Sequence, residues 1–473
     1  MTKPAKPNYH VKPVLNARAQ AQGLLNLVLG GALTVDEALA RAPMSGEAAD
    51  QRFAILLALT TLQHLGQLDA AIANFLETPL PVKRLAVSNA LRLGAAQLLF
   101  LDTPAHAAVN ETVALVKKGK DAALSGLVNA VLQKMAADKP TLRPATKNLP
   151  QWLRNRWEKQ YGVAAVATIC DIAAQRAPLD IHSMADMEGA ERLDSQMLRI
   201  RGEHPPVEEL PGYDTGAFFI QDIAASYPAR LLGEVKGLRL LDACAAPGGK
   251  TAQLARAGAR VTALDRSHAR MRLLRDNMAR LNCEVEVVVD DAMTWQPAEP
   301  FDAILLDAPC TATGTWRRHP EVVQILKKEE IAEMATLQRA LLSRAWEWLK
   351  PSGKLVYCVC SLEPEEGEQQ AQWFLEATND ASLITCSPLE GERALPLQCR
   401  GWADSPDAAG FGEPPLPPTN PQADLTPPQG RGWENAIPLE YFTSAGYLRT
   451  TPATLADKGG MDGFFAVCFM RAR

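Results

Sequence analysis

The 473-residue chain contains no CxxC pair, and its nine cysteines are odd in number and widely scattered. That excludes a disulfide framework and leaves no structural zinc or other metal site to expect. Aromatic residues make up 6% of the chain, too few for a surface built on many stacked rings. No apolar run approaches the roughly 18 residues that a membrane-spanning helix requires. The first residues are polar, with Lys3, Lys6 and Lys12 and no apolar stretch of signal-peptide form behind them, so a cytoplasmic protein without membrane association is expected. Charge of one sign is also missing: the net charge is −5, and no overall cationic field advertises a polyanion. The distribution is uneven, however, because residues 1–140 carry 14 Lys/Arg against 10 Asp/Glu. Two nucleotide-binding signatures are absent as well. The chain has no GxGxxG, and Gly249-Lys250-Thr251 would need a glycine at 244 to form a Walker A loop, where Cys244 stands.

What is present divides the chain. From residue 15 to about 138, Ala, Leu and Val recur at spacings of three and four, as in Leu24, Leu25, Val28 and Leu29 or Val109, Val113 and Val116. This predicts an all-α domain over 1–140. Residues 141–215 read as a linker followed by a small α+β subdomain, with a helix over Trp152–Ala174. From Leu238 short apolar runs alternate with amphipathic segments: 238–243, 261–264, 285–289, 303–306 and 355–359. That rhythm predicts a mostly parallel sheet covered by helices within a third domain, 216–473. Nine prolines between 404 and 438 mark a flexible insertion at about 400–440.

The chemistry-bearing motifs fall at the ends of those strands. Leu240-Leu-Asp-Ala-Cys244-Ala245-Ala246-Pro247-Gly248-Gly249-Lys250-Thr251 reads as strand, glycine turn and helix start. The glycines allow positive φ and close approach of a ligand, and the helix start offers unpaired N–H groups. A short anionic group, such as an amino-acid carboxylate, suits it. Asp265 closes the second strand about twenty residues further on, a position suited to ribose hydroxyls. Asp291 follows the third strand, where an acid reaches an adenine amino group, and Asp307 ends the fourth.

Asp307-Ala-Pro-Cys310 and Cys358-Val-Cys360-Ser361 bring thiols to the same sheet edge if the fourth and fifth strands are neighbours. Cys358 and Cys360 are two apart and point to one face of a strand, so spacing does not separate them. A thiol beside a nucleoside-bearing cofactor suggests covalent catalysis on a pyrimidine. Thiolate addition to C6 of cytosine makes C5 enamine-like, so that it can take a methyl group from a sulfonium. Asp307 is the candidate acid facing the ring.

The set 244–250, Asp307-Ala-Pro-Cys310 and Cys360-Ser361 resembles the RNA cytosine-C5 methyltransferases of the Nol/Nop/Sun family. Phe219-Ile-Gln221-Asp222 and Met461-Asp-Gly-Phe-Phe465 are similar to further segments of that family. The resemblance implies a Rossmann-like fold and S-adenosyl-L-methionine as donor. Cys244, Ala245, Ala246, Pro247, Gly248, Gly249 and Lys250 would hold its methionine end, Asp265 its ribose, Asp291 its adenine. Asp307 would stand between donor and base. It further implies that Cys360 is the nucleophile and that Cys310 helps release the product; Cys310 as nucleophile is the rival assignment, after the DNA cytosine methyltransferases. In the N-terminal region, Arg18-x-x-Ala21, Leu91-Arg-Leu-Gly94, Pro104-Ala-His106-Ala-Ala-Val109-Asn110-Glu111 and Leu127-Val-Asn129 are similar to the NusB-like RNA-binding domain. Together the two halves imply a bacterial 16S rRNA methyltransferase, acting on RNA or a small-subunit assembly intermediate.

The chain departs from that pattern in three places. Thr311 replaces the usual Ser after Pro-Cys, Cys358-Val359 precedes Cys360, and Asp180-Ile181-His182 stands where Arg-x-Asn is usual. Lys117, Lys118 and Lys120, and better Arg317-Arg318 beside the Cys310 loop, are candidate phosphate contacts. Two other classes compete: a non-catalytic NusB-like antitermination factor with a degenerate second half, opposed by the intact acids and thiols, and a nucleotide-dependent oxidoreductase using Cys358 and Cys360, opposed by the missing GxGxxG.

Overall fold

The computed structural model describes residues 16–384 and 437–473. The expected proline-rich insertion therefore lies almost wholly outside the described residues, as do Lys3, Lys6, Lys12, Cys386 and Cys399. Two compact units are present, each with its own core. The first comprises residues up to Trp157 together with His319–Ile325, and the second Glu158–Arg318 with Leu326–Arg473.

The first unit is helical. Its helices are α1 (Ala17–Gly31), α2 (Val35–Arg41), α3 (Ala48–Gln63), α4 (Leu65–Ala73), α5 (Leu85–Leu99), α6 (Ala105–Lys117) and α7 (Ser125–Asp138). The apolar positions read from the sequence, among them Leu24, Leu25, Val28, Leu91, Leu93, Val109 and Val113, form one core. Arg18 on α1 donates to Gln97 on α5 across 2.7 Å, so two polar residues lock the bundle. Thr34 begins α2 with a reciprocal capping box to Glu37. The excursion at 319–325 belongs here too: Glu321, buried, accepts from the Val35 backbone N–H at 3.2 Å.

The helix expected over 152–174 is two helices, α8 (Gln151–Tyr161) and α9 (Val163–Ala173). Gly162 separates them with φ +82°, which breaks the helical hydrogen-bond run. Next comes a small four-stranded antiparallel sheet of β1 (Leu179–His182), β2 (Glu191–Arg192), β3 (Met197–Ile200) and β4 (Phe219–Ile220), in the order β2-β3-β1-β4. Asp180 of β1 accepts from Nε and Nη2 of the fully buried Arg199, at 2.6 and 2.7 Å, and Nη1 of Arg199 donates to the carbonyls of Lys458 and Gly460. The departure at Asp180 is thus a buried ion pair that ties this sheet to the C-terminal segment.

The second unit is completed by a Rossmann-like layered fold. Its elements are α10 (Ile223–Arg230), β5 (Arg239–Ala243), α11 (Gly249–Arg256), β6 (Arg260–Asp265), α12 (His268–Arg280), β7 (Glu286–Val289) and β8 (Phe301–Asp307). Then, after the short α13 (Val322–Ile325) of the first unit, come α14 (Lys328–Glu347), β9 (Leu349–Val359), α15 (Glu368–Ala377), β10 (Ala381–Leu383), β11 (Leu448–Arg449) and β12 (Phe465–Arg471). The strand order is β10-β12-β9-β8-β5-β6-β7, with β11 paired to β12. β7, β6, β5, β8 and β9 run parallel, whereas β12 returns antiparallel to β9.

The near-continuous apolar runs follow from burial on both faces. Leu241, Ala243, Ile304, Leu306, Leu355 and Tyr357 face one core with Leu341, Leu342 and Phe374 of the covering helices. Leu240, Ala303, Leu305, Val356 and Cys358 face the other with Ala224 and Tyr227. Among the described residues no single helix is long and apolar enough to cross a membrane.

Candidate active site

The order reverses between β5 and β8, since β6 and β7 extend one way and β9 and β12 the other. Ligands of open parallel sheets bind outside the carboxyl ends of strands at such a point. The acids and motif thiols proposed for donor and base lie there. Asp242 stands one residue before the end of β5 and Cys244 follows that strand, Asp265 ends β6, Asp291 follows β7, Asp307 ends β8 and Cys360 follows β9.

The turn after β5 is shaped for close approach. Gly248 caps α11 with φ +103°, and a Cβ there would stand 3.0 Å from Leu274 Cγ. Only glycine combines that conformation with that space. Asp265 is buried and accepts from the backbone N–H of Ala246 at 3.3 Å and of Ser267 at 2.9 Å, which fixes its carboxylate beside the turn. Asp291 is exposed and accepts from Met293 N at 2.8 Å, leaving its carboxylate open to solvent. Asp242 is fully buried, with Oδ2 taking the Thr251 hydroxyl at 2.6 Å. Burial above all, assisted by repulsion from Asp307 and Asp265 and opposed by Thr251, pushes its carboxyl up to about 7. A positive-φ glycine turn, a buried acid and an exposed acid at successive strand ends fit an amino-acid-bearing nucleoside.

Lys250 lies almost buried at the start of α11, and its Nζ donates to Asp307 Oδ2 at 2.8 Å. Burial opposes its charge, but Asp307, aided by Cys358 and Cys360, holds the ammonium above its ordinary value. Lys250 therefore joins the turn to the acid, and its charge is felt together with those of the neighbouring thiols, a link that the Gly-Gly-Lys motif did not reveal by itself.

The two motif thiols meet. Cys310 Sγ lies 3.5 Å from Cys360 Sγ, both half-buried. The parallel register that pairs Asp307 with Cys358 brings the loop after β8 alongside the end of β9. Cys358, inseparable from Cys360 by spacing, is separated by burial: it is fully enclosed on the strand, 3.4 Å from Asp307 Oδ1. Burial and then Asp307 push its thiol well above the ordinary range. Burial with the surrounding acids likewise pushes Cys244 up to about 12. Neither is suited to be a thiolate. Cys310 is also raised, first by its contact with Cys360 and then by burial.

Arg317 is not a phosphate contact. It is buried, bonded to Asp222 and, at 3.0 Å, to Asp462 Oδ1, because these carboxylates enclosed at the junction with β12 require a cation. Arg318 is partly exposed but also spends its guanidinium on Asp462, at 3.0 and 3.1 Å. Lys117, Lys118 and Lys120 are exposed in the first unit. Lys117 borders a cleft of about 490 Å³ between α6 and α7, with Asn110, Ser125 and Asn129 on its walls. The residue that sequence reasoning missed is Glu366, buried beneath both cysteine loops. Its hydrogen-bond partner Ser361 stands in the Cys360-Ser361 motif, but nothing in the run of glutamates 363–368 distinguishes the buried members.

Comparison with known proteins decides the family. Residues 229–398 match the family model described as 16S rRNA methyltransferase RsmB/F, and residues 16–137 match the NusB family. Ribosomal RNA small subunit methyltransferase B of Vibrio cholerae is 33% identical over 81% of this chain and 94% of its own length. The chain belongs to the ribosomal RNA small subunit methyltransferase B family. The Klebsiella pneumoniae member is 34% identical over 82% of this chain and 96% of its own. Among solved structures, the crystal structure of PH0851 superposes with a TM-score of 0.67 at 22% identity, covering 96% of this chain and 99% of that one. NSun6 from Pyrococcus horikoshii with SFG superposes at 0.51 and 17% identity, covering 68% and 98%. Both show the fold. As a member of this methyltransferase B family, the chain is an S-adenosyl-L-methionine-dependent rRNA methyltransferase of the 5-methylcytosine type.

Proposed function

We propose that this methyltransferase modifies C5 of a cytosine in 16S rRNA through a transient bond between Cys360 and C6 of the base. The 3.5 Å approach of Cys310 and Cys360 at the carboxyl edge, in the segments that follow Asp307 and β9, carries this reading. S-adenosyl-L-methionine, when bound, supplies an electrophilic methyl group on a sulfonium. Residues 244–250 hold its methionine end, Asp265 the ribose and Asp291 the adenine. Asp307, oriented by Lys250, faces the N3 edge of the cytosine and stabilises charge there. Cys360 adds to C6, which turns C5 into a nucleophile. After methylation C5 bears both a methyl group and a proton. A solvent base takes that proton with the assistance of Cys310, the C5–H electron pair reforms the C5–C6 double bond, and Cys360 leaves as its thiolate.

The target base has to leave any stack to reach the two thiols. The NusB-like unit supplies a second RNA contact through Lys117, Lys118 and Lys120, in a division of 1–140, 141–215 and 216–473 into RNA-binding domain, linking subdomain and catalytic domain. A cytoplasmic setting follows from a ribosomal RNA substrate. The test is transfer of a labelled methyl group to naked 16S rRNA and to small-subunit assembly particles, followed by mapping of 5-methylcytosine. One modified cytosine in either substrate is expected. Label that enters at another atom, or no label in either substrate, overturns the reading.

A further inference from the structure

Glu366 lies wholly buried in the loop between β9 and α15, and its carboxylate gathers donors from both cysteine loops. Oε2 accepts the backbone N–H of Thr311 at 2.9 Å and Nε2 of Gln338 at 2.9 Å. Oε1 accepts the Ser361 hydroxyl at 2.7 Å and the Thr311 hydroxyl. Thr311 directly follows Cys310 and Ser361 directly follows Cys360. Gln338 also donates to the carbonyl of Pro309, the residue before Cys310, at 2.8 Å. The Glu366 backbone carbonyl in turn receives the Tyr357 hydroxyl at 2.6 Å. One side chain therefore fixes the residues flanking both sulfurs.

The charges around the pair are unequal. Burial pushes the Glu366 carboxyl up and the Ser361, Thr311 and Gln338 donors oppose that rise; ionised, it disfavours ionisation of Cys310. On the Cys360 side the carboxylate meets, among the described residues, only the Ser361 hydroxyl. A carboxylate bound mainly to the Cys310 loop, through the Thr311 N–H, the Thr311 hydroxyl and Gln338, biases a single shared negative charge toward Cys360.

We propose that Glu366 is a positioning residue that clamps the two cysteine loops together and, by its buried negative charge, keeps the proton on Cys310 so that Cys360 is the sulfur available as thiolate. This deepens the covalent reading above and rests on it. It also gives the choice between the two cysteines, left to resemblance at the level of sequence, an electrostatic cause.

Glutamine at 366 separates clamp from charge. Its carbonyl accepts from the two N–H donors, and its NH2 donates to the two hydroxyls, which can turn and accept. A purely structural role is thus preserved in Glu366→Gln. The measurement is brief alkylation of the full-length protein by iodoacetamide at neutral pH, without RNA or donor, with both cysteine peptides quantified by mass spectrometry. In the unmodified protein Cys360 is expected to react roughly tenfold faster than Cys310. In Glu366→Gln that preference is expected to fall several-fold. Equal labelling or faster labelling of Cys310 in the unmodified protein overturns the proposal, whatever happens to the variant. An unchanged preference in a folded Glu366→Gln protein overturns it equally. Because the labelling involves no methyl transfer, a failure of the covalent reading appears separately, as absence of an RNA adduct.

Discussion

Lys250, at the first turn of α11, donates to Asp307, at the last residue of β8, across 2.8 Å. The contact spans the point where strand order reverses, so one cation serves the acid proposed to face the base. Lys250→Met removes that charge and leaves the Asp307 carboxylate unpaired beside Cys358. Methyl transfer in single-turnover assays is expected to fall by about 10²-fold, the scale for loss of one preorganised charge-stabilising donor. Thermal unfolding should move little, since 31% of the Asp307 side chain remains exposed for solvation. An activity loss matched by a collapse of stability would point to a packing role.

The thiol roles are separable by trapping. Cys360→Ala is expected to give no RNA-linked species on a denaturing gel. Cys310→Ala is expected to accumulate one, because the adduct forms but its release is slowed. The opposite pattern exchanges the two roles.

Asp242 provides a pH signature. Its folded-state value of about 7 lies above the ordinary carboxylate value of 3.8. The folded protein therefore binds this proton more tightly than the unfolded chain does. Linkage makes the contribution full below the ordinary value and progressively lost as pH rises through about 7. Asp242→Asn lacks this dependence. The unfolding temperature of the unmodified protein minus that of the variant should fall between mildly acidic and mildly alkaline pH, and a difference independent of pH would contradict the assignment.

The sequence announced the strand-end residues because strand, glycine turn and helix start leave a local signature: β5 to α11 and β8 with its Pro-Cys loop were each legible. Apolar periodicity likewise displayed the helical core around Leu25 and Leu91. Burial was not legible where the partner is remote in sequence. Arg317 next to a thiol reads as a surface cation, yet its partners Asp222 and Asp462 come from segments 95 and 145 residues away. Glu366 was hidden for the same reason, since Gln338 and Thr311 lie on other elements. Gly162 inside an apolar pattern concealed a helix break that only its positive φ reveals.

Arg317→Met tests the ion-pair reading. Burial works against ionisation of Asp222, but Arg317 and Arg318 hold its carboxyl below its ordinary value. Removing Arg317 leaves enclosed carboxylates short of a cation, a change that typically costs about 3–5 kcal/mol. The expected outcome is a large drop in unfolding temperature with RNA affinity of the surviving folded fraction nearly unchanged. A selective loss of RNA affinity at normal stability would restore the phosphate role.

Because α13 is drawn from the middle of the catalytic half of the sequence, a gene fragment ending at residue 157 encodes an unfinished bundle. It would lack the turn bearing Glu321, leave the amide at the head of α2 without its acceptor and strip Ile325 from the apolar surface it covers. Cloning the helical half as a stand-alone module therefore calls for residues 319–325 to be returned to it, as a graft or an added peptide.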